Sequence, residues 1–309
     1  MSNAPQIITL GTRGSALARW QTAHVSQLLR DAWPDLEVRI QVVTTQGDRV
    51  LDTPLPMIGG KGVFTAELEA DLRDGKIDYA VHSLKDLPTV QPGGLALGAV
   101  PKREDARDVF ISRDRQPLDK LPAGSRVATS SLRRQTQLRA LRNDLVYVAM
   151  RGNLDTRLRK LERGDCEALV LAAAGVHRLS LSQRITSYFS FEQMCPAVGQ
   201  GALGIETRAD DSRARDAVAR LDHPASHQAV RAERAVLRQL GGGCQVPIAA
   251  HAVVENEALD LQALVASLDG TQLIHARTTG PAANAEELGS EVAEDLLRQG
   301  ARKILDGIE

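Results

Sequence analysis

The chain has 309 residues, 43% of them hydrophobic and 25% charged, with a net charge of -1. That profile excludes a disordered or fibrous protein and leaves room for two or three globular domains. Aromatic residues are only 3% of the chain, too few for a base-stacking surface, and the net charge supplies no field for a polyanion, so any anion site must come from local clustering.

In chain order, residues 7–10 read as a strand, followed by the turn Gly11-Thr12-Arg13-Gly14-Ser15 and a helix to residue 32. Ser15 is a candidate N-cap, and Pro34 blocks continuation. A strand, a turn and a helix N-terminus make an anion site, to which Arg13 adds a charged fork; a surface Arg beside a cap is the plainer alternative. Leu36, Val38, Ile40 and Val42 alternate with polar residues, the pattern of a half-buried strand. Residues 44–62 read as a long loop containing Gly59-Gly60-Lys61-Gly62, and residues 64–73 as a helix ended by Gly75. A further strand from Ile77 runs into a turn carrying His82, Ser83, Lys85 and Asp86. Ligands bind at the carboxyl ends of strands in open α/β sheets. The alternative there is an exposed Lys-Asp pair that contributes almost nothing.

Strand signals recur at 108–111, 126–128, 145–148 and 168–171, with helices between the later ones, which predicts a second α/β domain. From Arg126 to Arg163 there are ten Lys or Arg against three acids, a local +7. Thr129-Ser130-Ser131-Leu132-Arg133-Arg134 and Arg151-Gly152-Asn153 each follow a strand and open a helix, which puts both arginine sets at one edge of one sheet. Leu154, Leu158 and Leu161 form the apolar stripe of the second helix, leaving Arg157 on another face. Arginine suits bidentate carboxylate or phosphate recognition. A solvated basic face and a nucleic-acid surface are the competing readings.

Residues 198–205 form a Gly-rich run that crosses back to the first domain, making that domain discontinuous, and residues 211–221 read as a helix. A helix at 224–240 leads into Gly241-Gly242-Gly243-Cys244-Gln245-Val246-Pro247, a glycine loop presenting one thiol. Strands at 248–254, 259–266 and 272–277 and one long helix at 285–305 complete the chain. Cys166, Cys195 and Cys244 form no C-x-x-C, which argues against a zinc site or a disulfide framework and for a reducing compartment. No secretory leader and no apolar run of about 18 residues is present, so the expectation is a cytoplasmic protein off the membrane.

Taken together, Thr12-Arg13-Gly14-Ser15, Gly59-Gly60-Lys61-Gly62, the run from Ala80 to Pro88, Thr129 to Gln135, Arg151-Gly152-Asn153, Pro196 to Gly201 and Gly242 to Pro247 resemble the porphobilinogen deaminase (hydroxymethylbilane synthase) family, in the family's order and over nearly the whole chain. The resemblance implies an α/β fold of two periplasmic-binding-protein-like (type II) domains plus a small C-terminal α+β domain with an antiparallel three-stranded sheet. The boundaries it implies are 1–101 with 198–221, then 106–197 with an Arg-rich cleft wall, then 222–309. It implies a transferase that condenses four porphobilinogens head to tail with loss of ammonia and releases hydroxymethylbilane, in heme and other tetrapyrrole biosynthesis. One covalent dipyrromethane per chain is implied, held by a thioether to Cys244, with no metal. Asp86 is implied as the catalytic carboxylate and Lys61 as a lid lysine. Arg13, Ser15, Ser83, Lys85, Thr129, Ser130, Ser131, Arg133, Arg134, Arg151, Gly152, Asn153, Arg157, Arg178, Gln200 and Gly201 are implied as cofactor and substrate ligands. The expected partner is porphobilinogen alone, bound by a cytoplasmic monomer that binds neither nucleic acid nor membrane. A non-catalytic two-lobed binding protein is the rival of another class.

The chemistry accounts for those residue types. Each pyrrole carries an acetate and a propionate, so elongation accumulates negative charge that permanently charged arginines offset. Losing ammonia leaves an electron-poor carbon, and its capture makes a cationic pyrrole that a nearby carboxylate stabilises.

Overall fold

The computed structural model describes residues 7–49, 62–242 and 246–307. By contacts the chain divides into two compact units, Met1–Arg103 with Ala202–His227, and Glu104–Gly201 with Gln228–Glu309.

The first unit is built on β1 (Ile7–Arg13), β2 (Glu37–Val43), β3 (Tyr79–Ser83) and β4 (Leu95–Ala99), joined by β10 (Leu203–Arg208) from much later in the chain. The strand order is β2-β1-β3-β10-β4. β1 runs parallel to β2 and β3, and β10 antiparallel to β3 and β4. Helix α1 (Ala16–Ala32) starts where Ser15 accepts a hydrogen bond from the Ala18 N–H, as its cap position predicts. Val25 and Leu29 of α1 pack with Ile8, Leu10, Tyr79 and Ile205 in one apolar cluster. A one-turn helix α2 (Gln46–Arg49) begins the segment read as loop, and α3 (Ala66–Arg73) covers the other face with Leu68 and Leu72. α7 (Ser212–Ala219) is capped by Asp211, which accepts from the Ala214 N–H.

In the second unit, β5 (Asp108–Ser112), β6 (Arg126–Ala128), β7 (Val146–Val148), β8 (Ala168–Ala172) and β9 (Ser187–Tyr188) form a sheet of order β7-β6-β8-β5-β9. β6 is parallel to β7 and β8, while β5 is antiparallel to β8 and β9. The two sheets therefore share one plan: three parallel strands, then one antiparallel strand, then an edge. Helices α4 (Leu132–Leu141), α5 (Leu154–Glu162) and α6 (Ala173–Arg178) follow β6, β7 and β8 in turn. Short connections of this kind place the start of each helix at the carboxyl edge of its strand.

The same unit contains a second sheet, the antiparallel meander β11 (Ile248–Glu255), β12 (Ala258–Ala266) and β13 (Leu273–Pro281). It packs with α8 (Pro224–Gln239) and α9 (Ala285–Arg298) through Ala232, Val236, Leu261, Val292 and Leu296. The long helix read at 285–305 is in fact two. Gly300 adopts φ +103°, a left-handed conformation closed to a helix interior, and α10 (Ala301–Asp306) starts afresh beyond it. β13 also runs four residues past its predicted end, because Thr278 to Pro281 pair with Leu261 to Ala258 of β12.

Where α9 crosses α8, a Cβ at Gly289 would lie 2.4 Å from the Ala232 carbonyl oxygen. Gly289→Val is expected to destabilise the protein by about 1–3 kcal/mol through overpacking, measured by urea unfolding. An unchanged midpoint would show that the helices do not pack at that residue.

Candidate functional site

In the first unit the sequence-predicted residues gather at the carboxyl end of the sheet. Arg13 ends β1 and Ser83 ends β3, and these strands are parallel neighbours. The Arg13 guanidinium lies 4.2 Å from the centre of the Phe64 ring, a cation–π contact that holds it over the turn. Lys85 and the exposed Asp86 sit on a single 3₁₀ turn, Leu84–Asp86. That turn is tied on two sides: the Leu84 N–H donates to the Ala202 carbonyl at 3.0 Å, and Gln21 Nε2 of α1 donates to Ser83 Oγ at 2.8 Å. Beneath it His82 Nε2 lies 3.3 Å from Glu206 Oε2, both side chains buried, which fixes β3 against β10.

In the second unit the structure brings the polar loop residues together. The Thr129 N–H donates to the Val148 carbonyl, bridging the ends of β6 and β7. Ser130 and Met150 exchange two hydrogen bonds across the same gap, at 2.9 and 3.0 Å. Ser131 is the N-cap of α4 and accepts from the Arg134 N–H. Asn153 occupies the N-cap position of α5, and its carbonyl accepts from the Arg157 N–H. Gly152 stands at φ +115°, where a Cβ would meet Thr156 at 2.7 Å, so only glycine lets the loop turn here. Gly201 stands at φ +86°, with the Glu104 carbonyl oxygen 2.4 Å from where its Cβ would be. Lys61 and Cys244 lie outside the described residues.

The arginines are unequal. Arg133 and Arg134, in the first turn of α4, are 5% and 7% exposed and converge on Asp108, which is fully buried. Arg133 Nη1 lies 2.8 Å and Arg134 Nη2 2.7 Å from that carboxylate. Burial opposes the charge of Asp108, yet the two guanidiniums hold its carboxyl down at about 2. Arg178 is also buried, and its Nη2 donates to the Gly201 carbonyl at 2.7 Å. Arg157 spends one N–H on the Gly152 carbonyl at 2.8 Å. Arg151 keeps a buried Nη1 with no hydrogen-bond partner among the described residues. Asp108 was read from the sequence only as the first residue of an apolar strand; a lone charge heading a buried strand was the available signal.

Such crowding carries an electrostatic cost. Burial, then the charges of Arg134 and Arg151, push Arg157 down to about 10. Burial alone drives Arg178 down to about 10, against the pull of Glu104. Arg157 is thus a cation held in a poorly hydrated place beside two others. Carboxylates from a ligand would relieve both the repulsion and the unpaired donor on Arg151.

Each of the two α/β sheets, built to one plan, carries serine- and arginine-bearing turns at its strand ends. Residues 8–216 match the family model described as "Porphobilinogen deaminase, dipyromethane cofactor binding domain", and residues 227–298 match "Porphobilinogen deaminase, C-terminal domain". A porphobilinogen deaminase of Syntrophobacter fumaroxidans is 49% identical over 303 residues, covering 98% of each chain. One from Syntrophotalea carbinolica is 49% identical over 302 residues, covering 98% of this chain and 96% of its own. The chain belongs to the porphobilinogen deaminase family, transferases that make hydroxymethylbilane for tetrapyrrole biosynthesis on a dipyrromethane cofactor. Among solved structures, the periplasmic VFT2 domain of Bordetella pertussis BvgS overlays 70% of this chain and 86% of its own, at 16% identity and a TM-score of 0.43. The alkanesulfonate-binding protein SsuA of Xanthomonas axonopodis pv. citri overlays 77% and 76%, at 12% identity and a TM-score of 0.39.

The half-buried charge on Arg157 disfavours the unligated fold at every pH below about 10 and is relieved as pH rises through that value. Arg157→Met is therefore expected to stabilise the cofactor-free chain by about 1–3 kcal/mol at pH 8 in urea unfolding. Equal or lower stability would contradict the crowding.

Proposed function

We propose that Asp86 is the catalytic carboxylate of hydroxymethylbilane synthesis and that Cys244 anchors the dipyrromethane through a thioether. The observation that carries the site reading is the arginine group of the second unit. Among the described residues, Arg133 and Arg134 share the buried carboxylate of Asp108, Arg151 has a buried nitrogen without a hydrogen-bond partner, and Arg157 and Arg178 have lowered pKa values while keeping their charge at neutral pH. That group fits a ligand bearing several carboxylates, as a dipyrromethane with an acetate and a propionate on each ring does. When bound, the dipyrromethane supplies the first pyrrole α-carbon and remains on the protein after water releases the tetrapyrrole.

Each condensation makes the same demands. The bond from the porphobilinogen methylene to nitrogen breaks, and ammonia leaves. A carbon–carbon bond forms from that methylene to a pyrrole α-carbon, which then gives up its proton. Positive charge develops on the pyrrole during this sequence. The Asp86 carboxylate offsets it, accepts hydrogen bonds from pyrrole N–H groups and helps move the proton. The ties on Ser83 and Leu84 hold the backbone of the turn that carries Asp86. Arg13, Arg133, Arg134, Arg151, Arg157 and Arg178 receive the ring carboxylates. Ser15, Ser83, Lys85, Thr129, Ser130, Ser131, Asn153 and Gln200 add hydrogen bonds or charge, and Gly152 and Gly201 let the backbone come close. Lys61 acts as the lid lysine. A tether at Cys244 removes the entropy cost of recapturing each lengthening product.

We also propose that each of the three sheets is the core of one domain, at 1–101 with 198–221, 106–197 and 222–309. Apolar clusters centred on each of the three sheets support this division, with Val198 and Cys195 packing onto the third. The working form is proposed as a cytoplasmic monomer with porphobilinogen as its sole partner. No helix among the described residues is long and apolar enough to cross a membrane.

Asp86→Asn should keep its fold and its cofactor while turnover falls about 100-fold or more, since an oriented carboxylate is lost where charge develops. Activity within a factor of two of the parent would remove Asp86 from the mechanism. Cys244→Ser should have the mass of the bare polypeptide by intact mass spectrometry. A bound dipyrromethane in that variant would move the anchor elsewhere.

A further inference from the structure

Asp108 belongs to no motif read in the sequence, yet it meets two of the predicted arginine ligands. It opens β5 opposite Ala172 of β8 and has no exposed surface. Its Oδ1 accepts from Arg134 Nε at 3.0 Å, Arg134 Nη2 at 2.7 Å and Gln200 Nε2 at 3.0 Å. Its Oδ2 lies 2.8 Å from Arg133 Nη1, which donates to the Cys195 carbonyl at 2.7 Å. Arg134 Nη1 donates to the Val170 carbonyl at 3.1 Å, and Gln200 Nε2 also donates to the Ala106 carbonyl at 2.8 Å. Arg133 and Arg134 are consecutive on a helix, so their side chains leave it about 100° apart. A single anion reached by both must therefore hold each in a set rotamer.

We propose that Asp108, braced by Gln200, is a positioning residue that orients the Arg133 and Arg134 guanidiniums for the carboxylates of the cofactor and the growing chain. This rests on the arginine-ligand reading above. One carboxylate cannot neutralise two arginines, so the pair keeps a net positive charge beside Arg151 and Arg157. What Asp108 supplies is order. A flexible arginine loses rotamer freedom on binding each carboxylate, and one already fixed does not. The brace is itself fixed: Gln200 sits in the turn whose Gly201 carbonyl accepts from Arg178.

The test uses Asp108→Asn in the full chain, with Val109→Ala as a control. Val109 is the next residue of β5 and is fully buried in the apolar cluster of the same sheet. Three quantities are read: the thermal midpoint, the fraction of chains carrying dipyrromethane by intact mass, and KM and kcat for porphobilinogen. The expected result is a similar loss of thermal midpoint in both variants. Asp108→Asn alone should show cofactor loading reduced at least tenfold, or, in the loaded fraction, KM raised at least tenfold. Loading and KM in Asp108→Asn equal to those of Val109→Ala overturn the proposal. If Asp108→Asn does not fold, Asp108→Glu takes its place, because it keeps the charge and displaces the arginines by one methylene; parental loading and KM there also overturn it. An Arg151→Leu arm separates the two readings. Normal loading and a normal ladder of elongated species in that variant would sink the arginine-ligand reading itself, whereas failure there with a normal Asp108→Asn sinks only the positioning role.

Discussion

The structure depends on arginines confined where water is scarce and counter-charge is scarcer. A buried guanidinium is tolerable when a carboxylate meets it, and Arg133 and Arg134 meet one in Asp108. Arg157 faces the charges of Arg134 and Arg151, and Arg151 keeps a buried donor with no partner among the described residues. The fold bears that cost before any ligand arrives. A ligand with several carboxylates then gains from relieving strain that already exists, as well as from new contacts. This is the ordinary trade between stability and function at a binding site.

The sheet plan makes such confinement possible. β6 and β7 are parallel neighbours, so the turns after them emerge side by side, and Thr129 and Ser130 stitch those turns together. β1 and β3 do the same in the first unit, where the Asp86 turn is held by Ala202 and Gln21. The antiparallel strands β10 and β5 complete each sheet and, through Glu206 and Asp108, each bring a buried acid beneath the functional turns. The same topological position thus does comparable work twice, with a histidine as partner in one unit and arginines in the other.

Much of this was legible in the residues. Ser15 announced its helix start and accepts the capping hydrogen bond, as Ser131 and Asp211 do at the starts of two other helices read from the sequence. The clustering of Arg133, Arg134, Arg151 and Arg157 at strand ends followed from spacing alone. Other features were not legible, for identifiable reasons. The amphipathic period runs on through Gly300, so periodicity could not show that the helix stops there. Thr278-Thr279-Gly280-Pro281 has the composition of a turn, and only pairing with β12 makes it strand. Burial of Asp108 depends on Arg133, 25 positions away, and on Gln200, 92 positions away, contacts that no local pattern encodes.

The central claim is that fixed cations recognise the carboxylates of an oligopyrrole. It is tested most directly by calorimetry on the cofactor-free chain, comparing a free dipyrromethane tetra-acid with its tetramethyl ester. The account predicts that the acid binds at least 100-fold more tightly and that its advantage shrinks as salt is raised. Equal affinities, or a preference for the ester, would contradict it.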